Sequence, residues 1–125
     1  AHPEVADLMN RVRQPFNVSS VAQAAAIAAL DDDAFLKRSY ELNRDGLARL
    51  QSAFREMGLE FVPSYGNFVL VRVGDAAAVY EGLLRAGIIV RPVANYGLPD
   101  WLRVTVGLPD ENDAFLEAFA RVMGR

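Results

Sequence analysis

The chain has 125 residues, 52% of them hydrophobic and 23% charged, which suits one domain with its own core and is too apolar for a disordered segment. Its net charge of −3, with acids and bases interspersed, offers no basic footprint for nucleic acid or an anionic membrane. The absence of cysteine and the presence of a single histidine, His2, exclude thiolate nucleophiles, disulfides and Cys/His metal clusters, and the composition fits a cytoplasmic location.

PEVADLMNRV (3–12) predicts a short helix, with Pro3 at its first position and Val5, Leu8, Met9 and Val12 on one stripe. This helix opens the chain directly, so the element it should follow is expected before Ala1. RQPFNVSS ends it, and Ser19 or Ser20 is placed to cap a second, alanine-rich helix through VAQAAAIAALDD. The apolar run at 21–30 is too short to span a bilayer, and no signal-peptide pattern opens the sequence. Beyond Asp31, Asp32 and Asp33, apolar residues at Phe35, Leu36, Tyr40, Leu47, Leu50, Phe54 and Met57 predict a long amphipathic helix that Gly58 stops.

The period then changes. LEFV (59–62) and NFVLVRV (67–73) read as strands separated by the turn composition PSYG. Helical spacing returns over 75–87, with Asp75 as a cap and Gly87 as a stop. The strand IIVRPV, the loop ANYGLP, the strand DWLRVTVG and a final helix opening on Pro109 among acids complete the order. The expected fold is α+β in a single domain over 1–125: a small, mostly antiparallel sheet with helices packed mainly on one face.

Arg91 and Arg103 stand out, because an arginine in an apolar strand context needs a partner. Each has two readings. In one, it is a solvent-facing strand residue opposite apolar neighbours. In the other, it is a guanidinium fork for a carboxylate or phosphate. Asn67 and Tyr65 in PSYGNF either satisfy turn backbone or line a site, and Tyr96 is either a packed loop aromatic or a site-lining residue. The aspartates at 31–33 read as a helix start rather than a metal site, since no second acidic cluster offers further oxygen ligands. Lys37, the only lysine, has nothing nearby to lower its pKa for a covalent role.

The segments RQPFNVSS, AQAAAIAAL, VPSYGNFVLV, GIIVRPVANYGLPDWLRVTVG and ENDAFLEAF, in this order along essentially the whole chain, resemble the C-terminal part of the histidinol-phosphate aminotransferases, pyridoxal-phosphate enzymes of the aspartate-aminotransferase fold type. The resemblance implies that Arg103 grips the acidic group of the substrate, with Arg91 as a second contact to the same end. The anion would be the phosphate of histidinol phosphate or the carboxylate of an amino acid, with ANYGLPD at the mouth of the site. It further implies pyridoxal phosphate as cofactor, a homodimer, and a large domain of the same polypeptide that supplies the Schiff-base lysine, the phosphate cup and the residues around the pyridine ring. That lysine would lie shortly before Ala1, and Lys37 does not match its motif. The resemblance therefore places no catalytic or cofactor-binding residue in these 125 positions, and implies a small domain that is inactive alone.

Three other readings stay open at this level. One is another enzyme of the same fold type, either an aromatic or other amino-acid aminotransferase or a phosphothreonine decarboxylase. The second is a non-catalytic module that binds a small molecule, and the third is a segment that only supports dimerisation.

Overall fold

The structure, a computed structural model, describes residues 2–15 and 18–124. Asn17, Phe16 and the two terminal residues, which include part of the RQPFNVSS segment, lie outside the described residues. The chain divides into two compact units, residues 1–36 and 37–125.

The first unit holds α1 (Pro3–Val12) and α2 (Ser20–Leu30). Pro3 sits in the first turn of α1, where its missing N–H costs nothing. Ser19 caps α2, its hydroxyl accepting from the Ala22 N–H at 3.2 Å. The Asp32 carboxylate accepts from the Phe35 N–H at 2.9 Å, so the aspartate run starts α3 (Asp33–Glu56).

From Lys37 onward the second unit contains the rest of α3, β1 (Phe61–Val62), β2 (Phe68–Arg72), α4 (Ala76–Arg85), β3 (Arg91–Val93), a 3₁₀ turn (Ala94–Tyr96), β4 (Leu98–Thr105) and α5 (Pro109–Val122). The four strands form one antiparallel sheet in the order β1-β2-β4-β3. Alternation sends Val69, Val71, Leu102 and Val104 to a single face, where they are buried with Leu50 and Phe54 of α3, Val79 and Leu83 of α4, and Phe115 and Phe119 of α5. Phe54 meets Phe119 edge-on at 5.7 Å between ring centroids, and Phe115 stacks on Phe119 at 5.2 Å. Within this unit, α3, α4 and α5 pack on that one face of the sheet. The fold is α+β, as the order of helical and strand periods predicts.

Caps and close contacts fix the layer. The Asp75 carboxylate accepts from the Ala78 N–H at 3.0 Å to start α4. At α5 the Glu111 carboxylate accepts from the Leu108 N–H at 2.7 Å. The buried Asn112 side chain accepts from the Gly107 N–H and donates to the Gly107 carbonyl, both at 2.9 Å. That pair of hydrogen bonds ties the segment after β4 to α5 and satisfies a polar group that burial would otherwise penalise. Gly46 lies where α3 crosses the end of the sheet, and a Cβ there would run into Val106 Cγ1.

Two strands are shorter than the sequence predicts. LEFV contributes only Phe61 and Val62. Of IIVRPV, only Arg91–Val93 pair; the Ile88 N–H bonds instead to the Leu83 carbonyl at 2.9 Å, closing the end of α4. The loop ANYGLP is also tighter than expected. Its first half is the 3₁₀ turn, Gly97 takes the left-handed conformation at φ 78°, and β4 has begun by Leu98, with Val93 paired to Leu98.

Candidate functional site

The face opposite these helices carries Arg91 and Arg103. Buried Leu102 and Val104 flank Arg103 and turn it away from the helices. Buried Val90 precedes Arg91 at the start of β3. The register pairs Arg91 with Arg103 directly, Arg103 with Leu70, and Leu70 with Val62. One transverse row therefore reads Val62, Leu70, Arg103, Arg91, with two cations at one end. Such partners have Cα atoms about 4.5–5.5 Å apart, and like charges so placed repel.

No carboxylate relieves that repulsion: among the described residues neither arginine has a salt bridge. Each has an aromatic ring instead. The Arg103 guanidinium carbon lies 5.1 Å from the Phe68 ring centroid, and that of Arg91 lies 6.0 Å from the Tyr96 centroid, with Nη2 donating to the Tyr96 hydroxyl at 3.3 Å. Arg103 is half-buried, and its Nε is fully covered with no hydrogen-bond partner. Arg72, on the same face, is the contrast. Its guanidinium donates to Glu60 at 3.2 Å and to Asp100 at 3.3 Å, and these bonds push its pKa further up. Arg72 has its counter-ions, whereas Arg91 and Arg103 form a positive site without one.

The structure thus brings Arg91, Arg103 and Tyr96 together. Asn67 stands just before β2 and is exposed; its backbone carbonyl accepts from the Val106 N–H at 2.9 Å, extending the β2–β4 ladder. Among the described residues no hydrogen bond joins its side chain to the arginines. Tyr65 is fully exposed. Phe68 is the residue that sequence reasoning missed. In NFVLVRV it reads as one more strand hydrophobe, and only the register reveals that it shares a face with Arg103. Lys37 is exposed on α3, and among the described residues no group of three or more acids or histidines is arranged to hold a metal.

Comparison with known proteins identifies the family of the chain. The model for aminotransferase class I and II matches residues 1–119. The chain belongs to the class I and II aminotransferase family. Over 98% of its length it is 66% identical to histidinol-phosphate aminotransferase 1 of Cupriavidus pinatubonensis, of which it covers 34%. Among solved structures, the histidinol-phosphate aminotransferase of Clostridium acetobutylicum superposes with a TM-score of 0.85 at 25% identity, over 97% of this chain and 38% of that one. The Sinorhizobium meliloti enzyme, solved in complex with pyridoxal-5'-phosphate, gives 0.80 at 31% identity, over 98% and 35% respectively. The chain spans about a third of the length of the curated relatives it matches.

Proposed function

We propose that this chain is the substrate-binding part of a pyridoxal-phosphate-dependent aminotransferase that moves an amino group between L-histidinol phosphate and 2-oxoglutarate. The observation that carries the reading is the facing pair Arg91 and Arg103, two cations that have no salt bridge to a carboxylate among the described residues. A dianionic phosphate is the counter-ion that such a pair suits best, since each fork can donate to a separate oxygen. The carboxylates of 2-oxoglutarate and glutamate can use the same forks in the second half of the reaction. High identity to histidinol-phosphate aminotransferases supports this substrate over those of sibling enzymes.

The chain's own work in this reading is to bind and orient. The arginines fix the far end of the substrate so that its amine reaches a reacting centre built by the large domain of the same polypeptide. That domain, rather than Lys37, holds pyridoxal phosphate. The full protein acts as a cytoplasmic homodimer. Among the described residues no helix is long and apolar enough to cross a membrane.

The test is amino transfer by the full-length protein loaded with pyridoxal phosphate. Glutamate should form from 2-oxoglutarate with histidinol phosphate as the preferred donor. A higher kcat/KM for phenylalanine or tyrosine, or release of carbon dioxide from phosphothreonine, assigns the chain to a sibling enzyme instead.

A further inference from the structure

We propose that Phe68 is a positioning residue for substrate binding: its ring holds the Arg103 guanidinium so that the anion is met end-on, through the two terminal nitrogens. The proposal rests on the reading of Arg103 as an anion-binding residue and goes beyond it by naming what aims the fork.

Three observations converge. The Arg103 guanidinium carbon lies 5.1 Å from the Phe68 centroid. A cation held over a ring face is attracted by the ring quadrupole without using up a hydrogen bond, so this contact and anion binding do not compete. Arg103 Nε is buried without a partner. This closes the side-on edge of the fork and leaves Nη1 and Nη2, which carry no hydrogen bond among the described residues, as the open edge. Finally, Arg91 faces Arg103 across the strands, and like charges in that position swing their side chains apart unless something holds them. Leu70, the cross-strand partner on the other side, is aliphatic and supplies no counter-charge. The Phe68 ring is therefore the one attractive polar-face contact that Arg103 has among the described residues. Phe68 is 37% exposed, so its replacement leaves the buried aromatic cluster intact.

The experiment uses the full-length, cofactor-loaded protein and inorganic phosphate as a competitive inhibitor against histidinol phosphate. Phe68→Leu, which removes the ring and keeps an apolar side chain, should raise the phosphate inhibition constant about three- to tenfold. Phe68→Tyr should stay within about twofold of wild type, and Arg103→Ala should exceed the leucine variant. KM for histidinol phosphate should rise with the inhibition constant, and more than KM for phosphate-free histidinol. If the leucine variant matches wild type while Arg103→Ala does not, or if it raises both KM values by the same factor, Phe68 is only a packing residue and the proposal fails. An Arg103→Ala protein with unchanged phosphate inhibition removes the anion reading, and the proposal falls with it. Should the leucine variant fold poorly, pentafluorophenylalanine at position 68 keeps the shape and inverts the charge pattern of the ring; an unchanged inhibition constant there also overturns the proposal.

Discussion

Arg91 and Arg103 are direct cross-strand partners on the face of the sheet opposite the one on which α3, α4 and α5 pack. Both belong to the same row, and in the proposed reading one anion takes donors from both, with no carboxylate among the described residues in a salt bridge to either. Their effects should therefore be coupled. In a double-mutant cycle on substrate affinity, Arg91→Ala and Arg103→Ala should together cost less than the sum of their separate costs, with a coupling energy of about 0.5–3 kcal/mol. Strict additivity would mean that the two side chains serve different ligands.

Gly46 offers a test of the packing that positions the sheet. Glycine in a helix interior normally gains about 1 kcal/mol when changed to alanine. Here the new methyl would strike Val106 at the end of the sheet, and overpacking costs about 1–3 kcal/mol. The clash is expected to win, so Gly46→Ala should lower the denaturant midpoint with an unchanged m-value. A rise in the midpoint would show that Val106 yields freely.

Most elements were legible because their boundaries carry local chemistry: Pro3, Ser19, Asp75 and Pro109 open helices, and Gly58 and Gly87 close them at positive φ. The arginines were legible as polar intrusions into apolar strands. Their pairing was not, because register depends on the 3₁₀ turn at 94–96, on Gly97 and on the irregularity between Pro92 and Val93, none of which periodicity encodes. The same ignorance of register hid Phe68. The strand at IIVRPV is shorter for another reason: β-branched residues after a helix read as strand, whereas Ile88 satisfies its backbone by closing α4.

The exposed apolar side chains of the first unit predict how these 125 residues behave when expressed alone. Leu8, Met9, Val12, Val21, Ile27 and Leu30 are each at least 60% exposed, far more than an isolated soluble unit usually tolerates in one region. Sedimentation should show concentration-dependent self-association. A strict monomer from micromolar to near-millimolar concentration would contradict this.

Cofactor retention separates the parts of the enzyme. With Lys37 exposed, the 125 residues mixed with pyridoxal phosphate should keep no stoichiometric absorbance band after dialysis. A band that survives would give this stretch a cofactor role and contradict the proposed division of labour.

The central claim, that Arg103 grips the anionic end of the substrate, is tested most directly by the ratio of kcat/KM for histidinol phosphate to that for histidinol in the full-length enzyme. Arg103→Ala should lower this ratio by roughly tens to hundreds of fold, the loss of a charge-assisted bidentate bond of about 2–4 kcal/mol, and Arg103→Lys should recover only part of it because a point charge lacks the planar fork. An unchanged ratio, whether both substrates lose equally or neither does, would return Arg103 to the role of a surface strand residue.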